Sequence, residues 1–155
     1  MLFELAQKFW RAIPYRARIL IIRATQAKFT VSVVALVRDP EGRVLLLEHY
    51  VRPSAAWGLP GGFVEPYEQP ETAIVRELKE ETGLELRDLQ LVSIRSIRRH
   101  VEILYFANAS GKPVVGSREV KDAGWFTRAN LPDDLTNVQR ELILSELSGS
   151  TDQVS

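Results

Sequence analysis

The stretch "RELKEETG", residues 76–83, reads as the last turns of a helix and carries three glutamates, Glu77, Glu80 and Glu81. Local helix chemistry does not favour them there. Carboxylates near a helix C-terminus face the negative end of the dipole. Glu77 and Glu81 stand at i,i+4, where like charges repel by about 0.2–0.5 kcal/mol. The start and stop signals are nonetheless clear. Pro70 suits the first helical position, Glu71 the positive N-terminal end, and Gly83 the left-handed residue that closes a helix. The predicted helix therefore spans residues 70–82.

At about 100° per residue, with Glu77 at zero, Glu81 falls near 40° and Glu80 near 300°. Ala73 falls near 320°, Ile74 near 60° and Leu78 near 100° on the same wheel. Glu77 and Glu81 thus share the apolar side, whereas a solvated acidic face should lie opposite it. Carboxylates turned toward protein need a counter-charge or they take up protons. Arg76 can pair with Glu80, but one guanidinium cannot neutralise three acids. A bound cation can. Carboxylate oxygens suit Mg²⁺ or Mn²⁺, and the nearby sequence has no His or Cys to suit zinc.

Outward from the helix, Gly62 is followed by five residues, then Glu68, seven residues, and the run from Arg76 to Leu84. This resembles the Nudix box, Gly-x5-Glu-x7-Arg-Glu-aliphatic-x-Glu-Glu-x-Gly-aliphatic, with every defining position filled. The preceding "WGLPGG" resembles the family's entry to the box. The resemblance covers most of residues 29–145. It implies an α+β fold, the Nudix α/β/α sandwich with a mixed sheet, and metal-dependent hydrolysis of a nucleoside diphosphate linked to another group. By the same resemblance Glu77, Glu80 and Glu81 are metal ligands, with a carbonyl near Gly61 or Gly62. Arg76 orients a box glutamate, and Glu68 supports it. The general base is a box glutamate or an acid on a later loop. Glu119, before Trp125 in "EVKDAGWF", is the leading outside candidate and otherwise an exposed loop acid; Glu102 is a weaker one.

For substrate contacts, Arg52 in the loop before the box can reach a phosphate. Trp57 and Tyr67 can stack on a base, although Trp57 also suits packing. Arg95, Arg98, Arg99 and His100 form a basic cluster; on one strand Arg95 and Arg99 would share a face, with Arg98 and His100 on the other. Arg98 is the member taken as a substrate contact. Relatives that act on ADP-ribose commonly carry a proline beyond the box, and His100 stands at that place here. The leading expectation is a pyrophosphohydrolase of the ADP-ribose or nucleotide-sugar type. The alternatives are a housecleaning hydrolase of (oxidised) nucleoside triphosphates, an RNA 5′-end hydrolase, and a non-catalytic nucleotide sensor. The intact box, and a length that leaves little room for a further domain, weigh against the sensor.

The remaining chain frames this site. Its 155 residues suffice for one domain with a proper core. Zero formal charge gives no global field for nucleic acid or membrane. The absence of cysteine excludes disulfides and thiolate chemistry and fits a reducing cytoplasm. Neither a membrane span nor a signal peptide is evident.

Residues 1–28 differ in composition: Lys8, Arg11, Arg16, Arg18, Arg23 and Lys28 stand against one acid, Glu4. A short amphipathic helix is expected, ended by Pro14, then a second short helical or extended piece. This extension is read as packed on the domain or on a second subunit in a homodimer. A basic surface for anionic lipid or RNA is the alternative, although no stable partner of either kind is expected.

The domain is expected over 29–148. A hairpin around "DPEG", residues 39–42, opens it. A long loop over 52–70 follows, then strands around 89–97 and 100–109. A final helix closes it, with a Thr136–Gln139 capping box and Val138, Leu142 and Leu147 on one side. Residues 149–155 are read as a polar tail.

Overall fold

A computed structural model describes residues 2–51 and 55–148. Two helices lead, α1 (Leu2–Ala12) and α2 (Tyr15–Thr25), with Pro14 between them. The hairpin follows: β1 (Thr30–Arg38) and β2 (Val44–His49). Its turn closes as expected, with the Gly42 N–H donating to the Asp39 carbonyl at 3.0 Å. Asp39 also takes the Arg43 backbone N–H at 2.8 Å and its Nε at 2.6 Å.

The expected long loop contains two short strands, β3 (Trp57–Gly58) and β4 (Gly61–Phe63). Next come α3 (Pro70–Thr82), β5 (Arg87–Ile97) and β6 (His100–Asn108). A further strand, β7 (Val120–Phe126), occupies sequence expected only to lead into the last helix. A single 3₁₀ turn, Arg128–Asn130, precedes α4 (Asn137–Ser148).

Among the described residues the strands form one mixed sheet, ordered β3-β2-β1-β6-β5, with β4 on β1 and β7 on β2. Only β1 and β6 run parallel, from Thr30↔His100 to Arg38↔Asn108. The β1–β2 register is confined to Arg38↔Val44, beside the turn. The strands then part, and β4 takes the vacated edge of β1 through Ser32↔Phe63, Val33↔Gly62 and Val34↔Gly61. That divergence admits the Gly61–Gly62 backbone into the body of the sheet.

Strand alternation divides the core. Val33, Ala35, Val37, Leu45, Leu47, Ile103 and Tyr105 face α3 and meet Ala73, Ile74 and Leu78. Leu36, Val44, Leu46 and Leu104 face the other way, onto Leu59, Leu131, Leu135 and Ile143. Burying a side chain such as Ile74 or Leu78 contributes about 1.5–3 kcal/mol. The result is the α/β/α sandwich, α3 on one side of the sheet and α4 on the other.

In α4 the buried anchor is Ile143, with Leu142, Leu144 and Leu147 partly buried, whereas Val138 is exposed. Thr136 Oγ1 accepts the Gln139 N–H at 3.3 Å, which is half of the capping box. The Gln139 carboxamide instead accepts the Leu59 N–H at 3.3 Å, tying α4 to the segment before β4. The expected polar tail, 149–155, lies outside the described residues. In the extension, α2 has no fully buried residue, Ala17, Arg18 and Ile19 are partly buried, and the described side chains of α1 are exposed.

Candidate active site

The site grows from the contact of β4 with α3. Gly61 has φ 154°, and a Cβ there would come 2.2 Å from the Val33 carbonyl oxygen, so only glycine lets β4 lie against β1. At Gly62 a Cβ would fall 2.3 Å from the Glu77 carboxyl carbon. The missing side chain is the space into which Glu77 reaches.

Helix α3 is built as its sequence implies. Pro70 stands at its start, Gly83 closes it at φ 70°, and the Gly83 N–H donates to the Lys79 carbonyl at 2.9 Å. Ala73, Ile74 and Leu78 are fully buried, and Glu81 shares their face at 6% exposure. The Glu77 carboxylate is mostly covered, while that of Glu80 faces solvent.

Arg76 organises the acids. Its Nε and Nη2 donate to the two carboxylate oxygens of Glu68 at 2.8 and 2.9 Å. Its Nη1 donates to Glu77 Oε1 at 2.9 Å and lies 3.6 Å from Glu80 Oε2. Nη2 also reaches the Phe63 carbonyl at 3.3 Å, tying the guanidinium to β4. Glu68 accepts the Glu65 backbone N–H at 3.0 Å. The Arg76 hydrogen bonds, helped by that N–H, hold the Glu68 carboxyl down at about 2. The guanidinium is in turn held still more firmly protonated.

The far end of α3 carries a loop that sequence reasoning did not foresee. Val114 N–H donates to the Thr82 carbonyl at 2.9 Å, and Gly116 N–H to the Glu81 carbonyl at 3.1 Å. A Cβ on Gly116 would stand 2.5 Å from the Glu80 carbonyl oxygen, so the loop lies directly on the helix end. The chain then passes to Glu119, whose carbonyl accepts the Tyr50 N–H at 3.1 Å at the end of β2. These backbone anchors carry no side-chain signature; the nearest signal in the sequence is a glycine in a polar segment. They bring Glu119 and Ser117 to the same cleft as Gly62, Arg76, Glu77, Glu80 and Glu81. The cleft has a volume of about 830 Å³, and His49 from β2, also not anticipated, lines it.

Other expected site residues lie elsewhere. Trp57 packs edge-on against Phe126, with ring centroids 5.0 Å apart, in the core beneath α4. Arg98 and Arg99 are not strand residues; they form the two-residue turn between β5 and β6, and Arg98 adopts φ 56°. Arg98 is not among the residues lining the cleft. Arg95 pairs across the strands with Glu102. His100 bridges Thr30 Oγ1 at 2.8 Å and Ser32 Oγ at 2.9 Å, between neighbouring strands. Tyr67 is fully exposed. Arg52 lies outside the described residues.

Glu65, Glu77, Glu80, Glu81 and Glu119 line the cleft beside Arg76 and His49, and carboxylate oxygens are donors that suit a hard cation. Among the described residues, no three acidic or imidazole groups are gathered tightly enough to enclose an ion as they stand. The Arg76 guanidinium, in contact with both Glu77 and Glu80, supplies their counter-charge in this arrangement.

Comparison with known proteins agrees with the fold and the motif. The NUDIX domain model matches residues 28–145. A MutT-like protein of Streptomyces ambofaciens is 31% identical over 123 residues, 78% of this chain and 79% of that protein. An ADP-ribose pyrophosphatase of Methanocaldococcus jannaschii is 35% identical over 101 residues, 61% of this chain and 60% of that protein. The crystal structure of a MutT NUDIX hydrolase from Burkholderia pseudomallei superposes with a TM-score of 0.65 at 32% identity, covering 76% of this chain and 97% of that one. The chain belongs to the Nudix hydrolase family. Enzymes of this family generally use divalent metal ions. No helix among the described residues is long and apolar enough to cross a membrane.

Proposed function

We propose that this protein is a Mg²⁺- or Mn²⁺-dependent pyrophosphohydrolase that cleaves a nucleoside diphosphate linked to a second moiety, of the ADP-ribose or nucleotide-sugar type. The observation that carries this reading is the single cleft shared by the box glutamates, the glycine beside Glu77, and Glu119. The kinship with an ADP-ribose pyrophosphatase supports the substrate class.

In this reading Glu77, Glu80 and Glu81 hold the cation with a carbonyl from the Gly61–Gly62 segment. Bound there, a hard divalent ion neutralises pyrophosphate charge and acidifies a water. Arg76 acts through other groups. Locked on Glu68, it presents Nη1 to Glu77 and fixes the direction of that carboxylate. Glu119 takes the proton of the attacking water, as an acid of the same cleft outside the box. Arg52 is the proposed phosphate contact from the loop before the box.

A housecleaning activity toward nucleoside triphosphates is the second reading, favoured by the kinship with MutT-like proteins. One experiment separates the two. Purified protein is given Mg²⁺ or Mn²⁺ and a panel containing ADP-ribose, nucleotide sugars, and oxidised and normal nucleoside triphosphates. Selective release of AMP or another nucleoside monophosphate from the diphosphate-linked compounds supports the first reading. Selective release of inorganic pyrophosphate from triphosphates supports the second. No turnover above a Glu81→Gln control would overturn both.

A further inference from the structure

The extension leaves a large apolar surface uncovered. In α1, at about 100° per residue, Phe3, Leu5, Phe9 and Trp10 fall in one half of the helix, with Ala6 and Ala12. Glu4, Gln7, Lys8 and Arg11 occupy the other half. Side chains on an apolar half normally bury themselves against protein, yet Phe3 is 75% exposed, Leu5 61% and Phe9 73%. In α2, Leu20 is 70% exposed, and Ile21 and Ile22 are close to half exposed.

Charge tells what would cover this surface. Six basic residues and one acid lie in residues 1–28, which leaves fourteen basic against nineteen acidic in the remainder. The molecule is therefore electrically polarised, basic at the extension and acidic in the hydrolase domain. The basic region continues past α2. Thr30 N–H donates to the Arg99 carbonyl at 3.0 Å, which sets the Arg98–Arg99 hairpin tip beside the strand entered from Lys28 and Phe29. Ile97 and Phe29, both about half exposed, add apolar area there.

We propose that residues 2–25, with the Arg98–Arg99 tip, dock this enzyme on an anionic lipid surface. Phe3, Leu5, Phe9 and Trp10 enter the interface, and the Lys and Arg side chains meet lipid phosphates. The polarity of the molecule directs it extension-first and keeps the acidic domain away from the negative surface. A second copy of this chain is a poorer occupant. The exposed apolar edge of its sheet, Leu91, Ile94 and Ile97 on β5, ends at the Arg98–Arg99 tip, so two basic surfaces would meet there. RNA would satisfy the charge but leave Leu5, Leu20 and Ile21 in water.

The test is flotation of the full chain with vesicles of phosphatidylcholine alone, or of phosphatidylcholine with about one-third phosphatidylglycerol. The expected result is at least about tenfold greater partitioning to the anionic vesicles, weakened by roughly 0.5 M salt. Phe9→Ser and Lys8→Glu/Arg11→Glu each lose most of that binding, whereas Phe9→Leu retains it. Hydrolysis of a soluble substrate stays unchanged in all three, since none of these residues lines the cleft. No binding to anionic vesicles, or binding that Phe9→Ser leaves intact, overturns the proposal. It is also overturned if light scattering shows a dimer that Phe9→Ser dissociates, or if single-stranded RNA is bound more tightly than the vesicles.

Discussion

Gly62 faces Glu77 so closely that a methyl group in place of its hydrogen would stand 2.3 Å from the carboxylate. Two residues far apart in sequence therefore share one volume, and the smaller exists to admit the larger. Gly62→Ala must push Glu77 away from β4 or move β4 off β1. A shift of about 1 Å in a catalytic group can cost on the order of 100-fold in rate. We expect Gly62→Ala to lower kcat/KM by about that factor and to keep a native circular dichroism spectrum. Wild-type kcat/KM in a folded variant would refute this use of the glycine.

Glu68 and Arg76 give the site a pH signature. The Arg76 hydrogen bonds, then the Glu65 N–H, lower the Glu68 carboxyl from its ordinary 4.5 to about 2. A carboxyl lowered by folding stabilises the protein above its unfolded value. That stability is lost as pH falls from about 4.5 through about 2. Glu68→Gln should therefore be less stable than wild type near neutrality, and the two should converge as the solution is acidified through that window. Urea midpoints across the range provide the check; a difference independent of pH would show that the pair contributes nothing through ionisation. Activity should also fall, roughly 10–100-fold, because Arg76 loses the partner that aims it at Glu77.

Trp57 separates packing from substrate contact. Its ring meets Phe126 at 5.0 Å between centroids and at 72° between planes, beneath α4. Trp57→Ala should cost about 2 kcal/mol of stability, less than the ~3–5 kcal/mol of a fully buried aromatic, because the residue keeps part of its surface exposed. KM for the best substrate should not move. A raised KM with unchanged melting temperature would return Trp57 to the binding site.

Residues whose neighbours lie along the helix were readable in advance. Glu81 shares azimuth with Ala73 and Ile74, so its burial follows from spacing alone. Pro70 and Gly83 mark the ends of α3 for reasons internal to their own backbones. Richness in β-branched and aliphatic residues likewise announced β1 and β2, and the box motif carried the sandwich with it. What escaped depends on distant partners. The short β3 and β4 take their conformation from β2 and β1, and β7 from β2, across long sequence separations. Arg98 looked like a strand residue because a two-residue turn between polar, charged positions has no glycine here to mark it. In α4 the apolar residues ring much of the helix, so Val138 and Ile143 could not be ranked until β2, β6 and Leu59 were in place.

The loop before β7 supplies the last prediction. Glu119 reaches the cleft because Gly116 lies on the end of α3, its N–H on the Glu81 carbonyl at 3.1 Å. A Cβ there would stand 2.5 Å from the Glu80 carbonyl, a backbone atom of a packed helix that cannot yield. Gly116→Ala should lift the loop and carry Glu119 with it. Lifting the loop releases the Gly116 N–H hydrogen bond to the Glu81 carbonyl, so stability should fall by about 0.5–1.5 kcal/mol. If Glu119 takes the proton of the attacking water, kcat should fall about 10²-fold or more in Glu119→Gln. The single Gly116→Ala should lower kcat in the same direction and by less. The double variant decides between loop position and an independent effect. When one residue acts through another, removing both costs little more than removing the second. We therefore expect Gly116→Ala/Glu119→Gln to match Glu119→Gln in kcat, measured at saturating substrate and metal. Multiplying losses would show that Gly116 serves the site by another route, such as the position of Ser117 or of Glu80 itself.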